Sequence, residues 1–168
     1  MDTFEMERIT NDHRDELKTF FTDQWGDCRM VYSHGEYNCS ELEGFVALDG
    51  DDTIIGAVTF FDHGQTGIRE IISLDSLIER RGIGGGLMEL AENDAVSSGL
   101  KELCLVTTND NVHALHFYQK RGYRLTGIRP DAVVSCREKK PSIPEKSTDG
   151  VAIRDEWQMK KPLPANGE

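Results

Sequence analysis

No apolar run in these 168 residues approaches the roughly 18 needed to cross a membrane. The N-terminus lacks the basic-then-apolar order of a signal peptide. A cytoplasmic chain with no membrane partner is therefore expected. Cysteine is sparse: Cys28, Cys39, Cys104 and Cys136 form no CxxC pair and no metal-ligand spacing. Cys104 lies in an apolar, strand-like stretch and reads as a small core residue. The histidines offer no ligand set either. His113 and His116 are three apart on a helical pattern, with no nearby cysteine or carboxylate pair to complete a site, so no metal is expected. Positive charge is short, with 19 Lys and Arg against 30 Asp and Glu, a net charge of −11. That balance excludes a nucleic-acid partner, which needs a basic surface. The deficit is local: residues 1–64 hold 15 acidic against 4 basic residues, and residues 65–168 hold 15 of each. A solvated acidic helix and acidic loops are the plain reading, and a wall that attracts cations is the sharper one.

What the chain does have is glycine in one place. The strand-like run Ile71 to Ile78 leads into Glu79, Arg80 and Arg81, then Gly82, Ile83, Gly84, Gly85 and Gly86, and an amphipathic helical pattern follows at once. A glycine turn opening a helix leaves backbone N–H groups aimed at one point, with the positive end of the helix dipole behind them. This is a seat for a phosphate or pyrophosphate. A P-loop is excluded, because Leu87 and Met88 stand where Lys and Ser or Thr are required. The dinucleotide fingerprint fits poorly. Glu102 lies where a ribose-binding acid would be, but the spacing is G-x-G-x-G and the turn is far from a first βαβ unit.

The downstream sequence separates the remaining candidate. A strand, Leu103 to Thr107, precedes Asn109-Asp110-Asn111-Val112-His113-Ala114-Leu115-His116-Phe117-Tyr118-Gln119-Lys120-Arg121-Gly122-Tyr123. With Gly82-Ile83-Gly84 this closely resembles the two signatures of the GNAT acetyltransferases, in the right order and at the usual separation. The resemblance is specific over residues 68–130. It implies a single N-acetyltransferase domain over residues 1–168, of α/β (α+β) class, with a mixed, largely antiparallel twisted sheet of six to seven strands and about four helices on its two faces. It implies acetyl-CoA as co-substrate and a small-molecule or peptide amine as acceptor, and a homodimer is left open. Arg80, Arg81, Gly82, Ile83, Gly84, Gly85 and Gly86 would receive the pyrophosphate. The backbone of Leu77 and Ile78 would pair with the pantetheine amides like an added strand. Asn111, Ala114 and Tyr118 share one helical face on the cofactor. The family usually places Arg or Gln where this chain has Glu79, so Arg80 and Arg81 are left to supply the charge.

Direct attack by the amine needs a base, because an alkylamine with a pKa of about 10.4 is almost wholly protonated at neutral pH. Glu70 and Asp75 are the candidates on the strand, with a water chain or an acid from residues 23–43 as the other route. Their five-residue spacing puts them on opposite faces of a regular strand. Tyr118 keeps its proton at neutral pH and suits the role of acid toward the departing thiolate. The alternative is a GNAT-fold module that binds acyl-CoA without turnover.

The remaining elements read as a strand Phe4 to Ile9, a helix from about Asp12 to Gln24 capped by Thr10 or Asn11, and a short strand Arg29 to Ser33. Gly35 to Glu43 reads as loop or a helical turn. Strands Gly44–Leu48 and Thr53–Phe61 are joined by Asp49-Gly50-Asp51-Asp52, and a strand Ile68–Leu74 enters the glycine turn. A helix over 82–98, a strand 102–107, a helix 111–121 and a strand 123–129 follow. Val133 to Gly150 reads as one long connection before a final strand, Val151 to Met159. The tail, with Lys140-Pro141-Ser142-Ile143-Pro144 and Ile153-Arg154-Asp155-Glu156, resembles that of one group of prokaryotic GNAT proteins.

Overall fold

The computed structural model describes residues 3–79 and 81–165. In chain order the elements are β1 (Glu5–Arg8), α1 (Arg14–Trp25), β2 (Arg29–Tyr32), β3 (Gly35–Asn38), β4 (Glu43–Leu48), β5 (Ile54–Asp62), β6 (Ile68–Ser76) and α2 (Ile83–Ser97). Then come β7 (Glu102–Thr108), α3 (Val112–Lys120), β8 (Arg124–Arg129), α4 (Ala132–Lys139) and β9 (Glu156–Pro162). This is a mixed α/β fold with a seven-stranded, largely antiparallel sheet and four helices, as expected. The described residues fall into two compact units, the first within 3–30, 37–103 and 163–165, the second 31–36 and 104–162.

In the first unit the strand order is β1-β4-β5-β6, each pair antiparallel. The β4–β5 turn closes as expected, with the Asp49 carboxylate accepting from the amides of Asp51 (2.9 Å) and Thr53 (3.0 Å). Helix α2 lays the fully buried Leu87, Met88 and Ala91 against the sheet. Gly56 permits that approach, since a Cβ there would stand 2.8 Å from Ile83 Cγ2. On this face Arg69, 2 % exposed, donates to Asp62 (2.8 Å) and Asp94 (2.8 Å) and lies 3.6 Å over the Phe60 ring. A buried guanidinium is tolerable because both carboxylates and the ring face it.

The other face meets α1 and residues 37–39, and here the structure corrects the sequence reading. Between β5 and β6 the register slips: Phe60 pairs with Ile71, but Thr59 pairs with Ser73, which leaves Ile72 as the extra residue of a bulge. One extra residue reverses the alternation of side chains beyond it. Glu70 opposite Phe61, Ser73 opposite Thr59 and Asp75 opposite Ala57 therefore share one face. Glu70 and Asp75 are not on opposite sides of the sheet. A second correction concerns residues 35–43. Residues 35–38 form β3, which pairs with β2, and a 3₁₀ turn, Cys39–Glu41, follows; Asn38 caps it by accepting from Ser40 N at 3.1 Å.

The second unit orders its strands β7-β9-β8. Residues 133–150 are not one irregular connection. Helix α4 occupies Ala132–Lys139, and the isolated bridge Lys146–Ala152 closes the remainder. The last strand begins at Glu156, later than expected. The tail pattern has a structural explanation. The Arg137 guanidinium donates to the carbonyls of Ile143 (3.1 Å), Pro144 (2.8 Å) and Ile153 (2.7 Å), tying α4 to the chain that returns beneath it. Glu156, 2 % exposed, accepts from Ser33 N (2.9 Å) and Ser33 Oγ (2.5 Å), with the Arg129 guanidinium 3.9 Å away.

Candidate active site

Gly82 makes the turn into α2. Its φ of +73° is a left-handed conformation that an L side chain would strain, and it occupies the cap position of the helix. The first helical bond runs from Gly86 N to Gly82 O at 2.9 Å. The amides of Ile83, Gly84 and Gly85 thus have no acceptor within the helix and converge at its positive end. The backbone of this turn is thus a glycine bend opening a helix, as the sequence pattern expects. Gly86 has a packing reason as well, because a Cβ there would meet Met6 Cε at 2.7 Å. Arg81 lines a cavity of about 380 Å³ with Ile78, Ile55, Phe4, Asp49 and Asp51. Glu79 is exposed, and Arg80 lies outside the described residues. Just before the turn, Leu77 (50 % exposed) and Ile78 (36 %) are among the most open apolar residues, which suits an extended ligand running alongside.

Upstream on β6, the carboxylate of Glu70 is held in the protein. It accepts from Tyr37 Oη at 3.3 Å and lies 2.8 Å from His63 Nε2, with the Phe61 ring against both partners. Asp75 differs. Its Oδ1 accepts from the Trp25 indole N–H at 3.2 Å, while Oδ2 is buried with no hydrogen-bond partner among the described residues. Burial pushes the Asp75 carboxyl up to about 6, against a smaller downward pull from the indole hydrogen bond. Nearby, Thr59 Oγ1 and Ser73 Oγ are 2.5 Å apart. The Cys39 thiol beside them is raised to about 12, chiefly by burial, so it is an unreactive core thiol.

In the second unit Asn111 caps α3, its Oδ1 accepting from Ala114 N at 3.1 Å. Ala114 and Tyr118 follow at helical spacing on that element, and the Tyr118 ring is 8 % exposed between Phe117 and Tyr123. His113 and His116 are exposed. Sequence reasoning missed three residues: His63, Tyr37 and Trp25. The first two follow from hairpin register and from β3, in a stretch whose sequence reads as loop or a helical turn. Trp25 closes α1 one residue beyond the expected helix, and a half-buried indole N–H usually needs an acceptor.

A glycine turn heading a helix just after a strand of a seven-stranded mixed sheet defines the class as an α/β protein. The particular family follows from comparison: the Acetyltransferase (GNAT) family matches residues 10–123, and the chain belongs to it. An uncharacterised protein of Bacillus subtilis (strain 168), YxbD, is 46 % identical over 89 % of this chain and 93 % of its own length. A GNAT family acetyltransferase from Elizabethkingia anophelis, solved with acetyl-CoA bound, has the same fold at a TM-score of 0.68 and 20 % identity, covering 97 % of this chain and all of that one. A Bacillus subtilis acetyltransferase in complex with CoA matches at 0.65 and 19 % identity, over 98 % of this chain and all of that one.

Proposed function

We propose that this protein transfers an acetyl group from acetyl-CoA to a primary amine. The observation that carries the reading is the Gly82 turn, with the first three amides of α2 lacking an acceptor within the helix, in a chain of this family. The pyrophosphate of the cofactor sits on those amides, and its pantetheine arm runs along Leu77 and Ile78. By the family resemblance Asn111 and Ala114 would contact the arm as well. The amine nitrogen attacks the thioester carbonyl; a C–N bond forms and the C–S bond breaks. A carboxylate of β6, Glu70 or Asp75, takes the proton that the ammonium must lose. Tyr118 gives its phenolic proton to the CoA thiolate. Metal plays no part in this scheme.

Tyr118→Phe tests the acid, since it keeps the ring packed against Phe117 and Tyr123 and removes only the hydroxyl. With a panel of polyamines, amino acids, aminoglycosides and peptide N-termini read by CoA release, kcat should fall on the order of 10²-fold while acetyl-CoA affinity holds. A variant as fast as the parent returns Tyr118 to core packing. Acetyl-CoA binding with no turnover across the panel marks a non-catalytic acyl-CoA module.

A further inference from the structure

Two carboxylates share the α1 face of β6, and their surroundings separate them. Glu70 already receives Tyr37 and His63. Asp75 has one oxygen fixed by the Trp25 indole and one buried oxygen that receives nothing among the described residues. Native proteins leave few buried polar atoms unmatched, and each one asks for a partner that the fold does not supply. The neighbours supply none here. Thr59 and Ser73 hydroxyls bond each other, Ala57 stands opposite on β5, and the facing titratable group, the Cys39 thiol, is a weak donor held by those hydroxyls. The missing partner is a donor, and a cationic donor best matches a carboxylate taken out of water.

We propose that Asp75 Oδ2 is the docking point and proton acceptor for the ammonium of the acceptor, and that Trp25 is its positioning residue. The acceptor class is then a primary alkylammonium, in preference to an arylamine or an uncharged amine. This rests on the acetyl-transfer reading for what happens next. One ammonium proton passes to Oδ2, the freed nitrogen lone pair forms the C–N bond, and the thiolate released from the C–S bond takes its proton from Tyr118. The indole suits its task because it donates one N–H and accepts nothing. It fixes Oδ1 without competing for Oδ2, and its ring is itself held by stacking on Phe21 at 4.6 Å. Position agrees, since Asp75 lies two residues before Leu77, where the strand ends and the glycine turn begins. The raised carboxyl also narrows the gap to an alkylamine while leaving the group ionised at neutral pH.

Two measurements test this. In the first, the Trp25 indole N–H resonance is followed while propylammonium chloride is added to the CoA-loaded protein at pH 7.5, with propanol as the uncharged control. A saturable shift with the cation alone, absent in Asp75→Asn, is expected. No shift, or the same shift with propanol or in Asp75→Asn, overturns the assignment. In the second, kcat/KM is measured against pH for a panel amine that the parent turns over. Asp75→Asn should lose on the order of 10²-fold with acetyl-CoA affinity unchanged. Trp25→Phe removes a hydrogen bond that favours the carboxylate, so the acid limb should move to higher pH, which a purely structural tryptophan would not cause. Undiminished kcat/KM in Asp75→Asn, or an unmoved limb in Trp25→Phe, overturns the proposal. If the parent turns over no amine at all, the acetyl-transfer reading fails, and the resonance titration still decides whether Asp75 docks a cation.

Discussion

Asp75 is held in the free protein at a cost. Its carboxyl sits at about 6 when folded, against 3.8 for the unperturbed group, because burial disfavours the charged form. The folded chain therefore binds this proton more tightly than the unfolded chain. The group's contribution to stability is fully present below the unfolded value and is lost as pH rises through the folded one. Above pH 7 the penalty is on the order of 2–3 kcal/mol. Asp75→Asn, which keeps the shape and removes the charge, should raise Tm by about 5–10 °C above pH 7. The gain should shrink to nothing below pH 4. Thermal melts of both proteins across pH 4–8 check this, and a variant less stable than the parent at pH 8 contradicts the sign. A carboxylate that weakens the resting fold is consistent with the docking role proposed for it. Glu70, with a phenol and an imidazole on it, has no such orphaned atom.

Elements, not single side chains, make the proposed cofactor seat. Gly82 bends the chain at φ +73°, and the first turn of α2 then presents the amides of residues 83–85. If a pyrophosphate seats on those amides as proposed, a bulky side chain at Gly84 should block its approach. Acetyl-CoA should bind the parent in the micromolar range, about −8 kcal/mol, and raise its Tm by mass action. Gly84→Val should abolish both effects, as read by calorimetric titration and thermal shift. Unchanged binding would move the pyrophosphate elsewhere. The bulge at Ile72 is the other decisive element, because it turns Asp75 toward Trp25; in an unbroken strand Asp75 would face the side where Arg69 meets α2.

Across the whole molecule the charge is one-sided along the chain, with the entire net −11 in residues 1–64. That stretch contains α1, which supplies Trp25 to Asp75, and the β2–β3 hairpin, whose Tyr37 reaches Glu70. A cationic acceptor would be drawn toward such a field, and the attraction would fade with salt, since charges are screened over about 8 Å at physiological ionic strength. For matched amines that differ by one extra positive group, kcat/KM should favour the more cationic acceptor at low salt, and the preference should narrow at high salt. Equal rates at low salt, or a neutral or anionic amine winning, would reduce the acidic segment to solvation.

The sequence by itself determined the features that contiguous residues control. Gly82-Ile83-Gly84 after a β-run dictates a left-handed turn and free helix amides, and Asn111 dictates the cap of α3, because both depend on backbone within a few residues. Fold class and family were legible for the same reason, from two local motifs in order. Tertiary structure decided the rest. Whether Glu70 and Asp75 share a face depends on a register slip between β5 and β6, and nothing in β6 alone specifies it. His63 reaches Glu70 across the β5–β6 hairpin, and Trp25 reaches Asp75 from fifty positions away. The order within residues 133–150 depends on Arg137 finding carbonyls at Ile143, Pro144 and Ile153. Only the packed chain distinguishes a carboxylate already satisfied from one with an oxygen left for a ligand, because hydrogen-bond satisfaction is a property of the surroundings and not of the residue.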